Sequence, residues 1–241
     1  MGQKVNPTLF RTGYLYGWKS NWVAKNQNDF KDFLKQDVIV RRFLKNKLKE
    51  GGVAAIDIDR TANALNITVQ TSRPGVVIGR GGKGIEDLKK EIIDLMKKTE
   101  KTKKKEDKDG ESIKKAKMNV QLTVKEVREP YLSAEIVKQL IIADIEKRVP
   151  FRRAAKQAIQ QVEKAGAKGV KIILSGRLDG AEIARTEMFT KGKIPLQTMR
   201  ADIDYSRGAA FTIYGTSGVK VWIYKGDIFL QKKAIIKSEK E

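Results

Sequence analysis

The chain of 241 residues has no cysteine and no histidine. The first absence removes disulfides, thiolate nucleophiles and cysteine metal ligands. The second removes the side chain that most often moves protons near neutral pH and ligates transition metals. The absence weighs against most hydrolases and dehydrogenases, though not against carboxylate chemistry. A reducing compartment suits a chain without disulfides. No apolar run reaches the length a bilayer demands, and Met1-Gly2-Gln3-Lys4 leads into no signal-peptide core. Asn6 stands where a myristoylation signal needs Ser or Thr. Acidic residues are in deficit too: 29 Asp and Glu face 50 Lys and Arg, a formal net charge of +21. Self-repulsion of that size opposes compaction, and a polyanionic partner accounts for it, nucleic acid before an anionic membrane surface.

What is present is globular: hydrophobic residues make up 40 % of the chain, and its length allows two modest domains. The stretch Arg73-Pro74-Gly75-Val76-Val77-Ile78-Gly79-Arg80-Gly81-Gly82-Lys83-Gly84 lies between an alternating apolar segment and an amphipathic helix. Pro74-Gly75 is expected to end the strand before it. Gly79-Arg80-Gly81-Gly82 is a G-x-x-G loop, where missing side chains let a sugar-phosphate backbone approach main-chain N–H groups. Arg80 and Lys83 add charge there. A KH domain clamps about four nucleotides with such a loop. Gly79, Gly81 and Gly84 also spell G-x-G-x-x-G, but the acidic residue a dinucleotide site needs about twenty positions on is replaced by lysines around Lys103. A phosphate-binding P-loop fails because Gly84 follows Lys83 where Ser or Thr is required.

Residues 1–17 read as a basic and aromatic tail, with Trp18 and Trp22 either stacking on RNA or capping a core edge. Residues 18–128 read as a KH type II domain. A helix spans Asp29 to Glu50 with a break near Gln36-Asp37, and two alternating strands follow around Ile56 and Ile67. After the loop come a helix with Ile85, Leu88, Ile92, Leu95 and Met96 inward and a strand from Met118. Asp57 and Asp59 alternate onto the polar face. Lys97 to Lys117 holds ten lysines against five acidic residues and is expected to be a mobile insert. Residues 129–226 read as two helices, Ile136–Val149 and Phe151–Ala165, then strands near Val170, Met199–Tyr205, Phe211–Tyr214 and Val219–Tyr224; residues 227–241 form a charged tail. The expected class is α+β, the second domain having helices on a mixed sheet. Arg152, Arg153 and Lys156 crowd the first turns of a helix, where cations oppose the macrodipole, which points to a role outside the helix. Glu182 and Glu187 look like a carboxylate pair, with Arg177 and Arg185 close enough to neutralise them.

Several segments stand in order: Met1-Gly2-Gln3-Lys4-Val5-Asn6-Pro7, Arg73 to Gly82, Phe151-Arg152-Arg153-Ala154, Gly176-Arg177-Leu178, Gly180 to Glu187, Arg200 to Tyr205 and Gly218 to Ile223. With them the chain resembles, over nearly its whole length, the bacterial family of the third protein of the small ribosomal subunit. The resemblance implies an N-terminal KH domain, a C-terminal α/β domain and a place in the subunit head on ribosomal RNA. It implies ribosomal proteins ten and fourteen as neighbours, and proteins four and five around the channel by which messenger RNA enters. It implies no cofactor, metal, membrane or enzymatic activity, and a cytoplasmic location. Gly79, Arg80, Gly81, Gly82 and Lys83 match the family's RNA-binding loop, and Arg152, Arg153 and Lys156 the basic helix of that channel, which acts on structured messenger. Lys4, Arg11, Trp18, Trp22, Arg177, Arg185 and Arg200 are further candidate contacts to ribosomal RNA. The insert is longer than in typical members, and Gln157 stands where a further basic residue often follows. A free KH-type RNA chaperone or regulator is the other class the loop allows.

Overall fold

The computed structural model describes residues 4–61, 64–106 and 119–229. They form an α+β protein of two compact units, Trp18–Arg128 on one hand and Met1–Gly17 with Glu129–Glu241 on the other. The first described element, α1 (Pro7–Phe10), belongs to the second unit. Asn6 caps it, accepting from the Thr8 N–H at 2.9 Å, and Pro7 takes the first helical position, where its missing N–H is not needed. Residues 4–17 are thus built into a folded unit, where a free tail was expected.

In the unit Trp18–Arg128, β1 (Ser20–Asn21) is followed by α2 (Gln27–Lys47), β2 (Val53–Arg60) and β3 (Ala64–Thr71). Then come α3 (Pro74–Ile78), α4 (Lys83–Glu106) and β4 (Asn119–Glu126). The sheet order is β1-β2-β3-β4, parallel at both edges and antiparallel between β2 and β3. Register places Ile58 opposite Ile67 and Ile67 opposite Leu122, so alternation puts one apolar face under the helices. Val40 and Leu44 of α2 and Leu88, Ile92 and Met96 of α4 close the core on that face. The other face is polar, as alternation requires: Asp57 accepts from Gln70 and Asp59 from Asn21.

Several local expectations are corrected here. α2 is continuous through Gln36-Asp37, because these two residues are buried and paired rather than solvated. Arg60 of β2 donates to Asp37 at 2.7 Å and to Gln36 at 2.9 Å, and its guanidinium lies 4.7 Å from the Phe33 ring centre. Phe30 and Leu34 are exposed, which narrows the apolar face of the first turns. β3 does end before Pro74-Gly75, and these two residues go on to open a short helix, α3. α4 runs to Glu106, so the helix carries on past Lys97; the remainder of the expected insert, 107–117, lies outside the described residues. So does most of the expected C-terminal tail.

In the second unit, α5 (Ala134–Glu146) and α6 (Phe151–Lys164) precede β5 (Gly169–Gly176), β6 (Arg185–Gly192), β7 (Ala201–Thr212) and β8 (Gly215–Asp227). The sheet order is β6-β5-β8-β7. All three pairings are antiparallel, which corrects the expected mixed sheet. Parallel neighbours need a long crossover, and here both helices come before the first strand. β6 was not expected at all, and the two strands expected around Met199–Tyr205 and Phe211–Tyr214 are one, β7, joined to β8 by a two-residue turn. α5 and α6 pack on one face over Val170, Ile172, Leu174, Val219, Val221 and Ile223.

Candidate nucleic-acid interfaces

The glycine loop is a corner between two helices. β3 ends at Thr71, whose hydroxyl donates to the Gly51 carbonyl, and the Arg73 N–H bonds to the Gly51 carbonyl at 3.2 Å. α3 then buries Val77 and leaves Val76 and Ile78 exposed. Gly79 (φ 71°, ψ 179°) sits where essentially only glycine is at ease. A Cβ there would come within 3.1 Å of the Gly84 nitrogen, and one on Gly84 within 2.8 Å of the Val77 and Ile78 carbonyl oxygens. These two glycines therefore let α3 and α4 meet. Gly81 (φ 61°) and Gly82 (φ 79°) have nothing within 4 Å of a built Cβ; their backbone faces open space beside exposed Arg80 and Lys83. The corner thus offers uncovered glycine backbone at the start of the long helix α4, two cations, and the exposed apolar Val76 and Ile78, which suits a nucleotide chain; the Gly82 N–H itself is turned onto the Gly79 carbonyl at 3.4 Å. It also removes the dinucleotide reading. That motif turns directly from a strand into a helix, whereas α3 stands between β3 and these glycines.

The second site is the polar face of α6. Phe151, Ala154, Ala155, Ala158, Ile159 and Val162 are buried against the sheet, so the helix cannot rotate, and Arg152, Arg153 and Lys156 stay exposed. A shallow depression of about 730 Å³ runs along this face, lined also by Gln157, Gln160, Gln161 and Lys164. The spacing of three and four that places the glutamines and Lys164 beside the cations was readable in the sequence. The unfavourable charge at the helix start is offset from outside: Asp179 (φ 52°) accepts from the Phe151 N–H at 3.3 Å. Glu187 of β6 bridges Arg152 at 3.2 Å and Arg185 at 3.1 Å, and both guanidinium groups lie near the Phe151 ring. The hydrogen bond from Arg152 holds the Glu187 carboxyl below its usual range, and the same bond raises the Arg152 value. The tie therefore survives mild acid and is lost only as pH falls through that depressed carboxyl value. Glu187→Gln should leave the fold intact and raise the affinity of the full chain for single-stranded RNA a few-fold, since a competing carboxylate is gone. A fall in affinity would mean that Glu187 aims Arg152 at the strand instead of restraining it.

The remaining candidates divide. Lys4 and Trp18 are exposed and available. Arg11 is corrected: it is 0 % exposed, and its guanidinium donates to the carbonyls of Ala201, Pro7, Leu196 and Thr198 at 2.6–2.9 Å, so it cannot meet a phosphate. Trp22 is half-buried, packs on Phe30 and Phe33, and donates its indole N–H to Asp37 at 2.8 Å; it caps a core edge. Arg177 donates to the Ala181 and Tyr214 carbonyls, where a glutamate partner was expected. Arg185 and Arg200 are exposed beside Glu187 and Asp227.

Two family profiles match the chain. The profile described as KH domain matches residues 39–132, which contain the glycine corner, and that described as Ribosomal protein S3, C-terminal domain matches residues 141–223, which contain α6 and Glu187. A protein of Caldicellulosiruptor saccharolyticus named small ribosomal subunit protein uS3 is 46 % identical over 234 residues, covering 97 % of this chain and 96 % of its own length. The chain belongs to the uS3 family. The uS3 proteins of Clostridium novyi and Methylococcus capsulatus are each 45 % identical, over 97 % and 95 % of this chain and 96 % and 93 % of their own lengths.

Proposed function

We propose that this chain is a non-enzymatic, RNA-binding constituent of the small ribosomal subunit in the cytoplasm. It sits on ribosomal RNA in the subunit head, beside proteins ten and fourteen, and lines the channel by which messenger enters, near proteins four and five. The glycine corner grips RNA backbone at its uncovered Gly81 and Gly82, with Arg80 and Lys83 beside them. The reading for messenger rests on α6: cations on a helix whose other face is buried hold their direction without RNA. Such groups contact phosphates without reading bases, so a strand can pass in any sequence. They favour single strands and so oppose re-pairing at the entrance.

Changing Arg152, Arg153 and Lys156 together to Ala removes only exposed atoms. Subunit assembly and translation of unstructured messenger should be nearly unchanged. Translation through a stable downstream hairpin should slow, increasingly with hairpin stability. A wild-type rate through the most stable hairpins, in normally assembled subunits, would reduce these residues to a solvated basic face.

A further inference from the structure

α5 and α6 cover one face of the C-terminal sheet. The opposite face is walled at one end by residues 4–10 and 194–198, which leaves a groove of about 1230 Å³. Strand register builds its floor in two rows. Lys171, Trp222 and Tyr205 align across β5, β8 and β7, and Ile173, Lys220 and Arg207 align in the next row. The Tyr205 and Trp222 rings lie 5.0 Å apart at 40°, and the Lys171 ammonium lies 5.6 Å from the Trp222 ring centre. Lys4 joins from the wall, and no Asp or Glu lines the groove among the described residues.

Two features of this floor run against folding stability. Lys220 stands directly opposite Arg207 across the β7–β8 pair, and like charges in that relation are destabilising. Two aromatic rings and an isoleucine are only half-buried there: Trp222 packs at one side on Ala201, Ile203 and Tyr224, and no long helix covers the row as α5 and α6 cover the other face. An anionic ligand with flat apolar faces resolves both. We infer that this groove is a second RNA-binding site, distinct from the glycine corner and from α6. An unpaired base stacks on the Trp222–Tyr205 wall, and Lys171, Lys220 and Arg207 hold the flanking phosphates. Stacking on a ring is tolerant of base identity, so the site takes single-stranded or looped RNA of any sequence.

The test uses the full chain with the other two sites silenced by Gly81→Asp, Gly82→Asp and alanine at positions 152, 153 and 156. Binding of an oligouridylate is titrated against salt, with and without Lys220→Glu and Arg207→Glu. Both positions are exposed, and the double reversal keeps a like-charge pair across the strands, so the fold experiences the same cross-strand repulsion. The silenced chain should keep salt-dependent affinity, the double reversal should weaken it about tenfold or more, and photocrosslinks from thiouridine should map to Trp222 or Tyr205. Unchanged affinity after the reversal, or crosslinks elsewhere, would overturn the site. So would a polyglutamate peptide that displaces the RNA at equal concentration, since the groove would then seat an acidic protein segment. None of these outcomes depends on hairpin reading by α6, so the two proposals fail separately.

Discussion

Arg11→Ala should be among the most damaging single substitutions in the chain, and through stability alone. The guanidinium is fully enclosed and its donors are taken by backbone carbonyls from α1, from residues 196–198 and from the start of β7. Removing it leaves several buried carbonyls unpaired and a void the size of the side chain. Each unpaired group costs about 1–3 kcal/mol, so the sum should reach at least ~3 kcal/mol. Burial and the loss of hydration lower the Arg11 value from its ordinary one, but an arginine keeps its proton at any working pH, so the effect should be flat from mild acid to mild base. Arg11→Lys should recover little, because an ammonium cannot reproduce a planar fork of donors aimed at separate carbonyls. Thermal unfolding of the C-terminal unit should shift down by about 10 °C or more, while Lys4→Ala, at an exposed position on the same segment, should be neutral. A midpoint within a degree or two of wild type for Arg11→Ala would mean that residues 4–17 are not anchored as described.

The double change Gly81→Asp, Gly82→Asp should have the largest effect on RNA. Neither position has a neighbour within 4 Å of a built Cβ, so the side chains fit, and aspartate tolerates positive φ better than most residues. What changes is the surface: two carboxylates stand where a phosphate must approach the backbone. Affinity for single-stranded RNA should fall by about tenfold or more, with native circular dichroism. The asparagine pair separates charge from bulk and should show a smaller loss. Gly84→Ala is the opposite case. It would force the α3 and α4 backbones apart against carbonyls 2.8 Å away, and it should lower stability before it touches affinity. Unchanged RNA affinity in the aspartate pair would remove the corner from the interface.

What could be read in the sequence follows from which physics is local. The alternation of Ile56 with Ile58 and of Leu65, Ile67 and Val69 gives a sheet face without reference to anything distant, and the face of α6 from Phe151 to Val162 does the same for a helix. The G-x-x-G spacing was visible because each of its glycines has a positive φ: Gly79 where α3 meets α4 closely, Gly82 where the backbone is left uncovered. The failures share a cause in partners far along the chain. Gln36-Asp37 looks like a polar interruption until Arg60 is placed beside it from β2. Arg11 looks like a tail cation until the carbonyls of residues 195–201 surround it. β6 escaped notice because it is an edge strand with both faces largely exposed, so no alternation marks it. Glu187 was seen as a partner of Arg185, but its bond to Arg152 exists only because β6 runs beside the start of α6.

The central claim is that this protein works as a fixed part of the small ribosomal subunit. Sedimentation of a cell extract through a gradient, with the chain quantified against another small-subunit protein in every fraction, tests it most directly. The account predicts co-migration with small subunits and whole ribosomes at one copy each, persisting through a high-salt wash. A chain found mainly at the top of the gradient, or on ribosomes well below one copy and released by moderate salt, would contradict it.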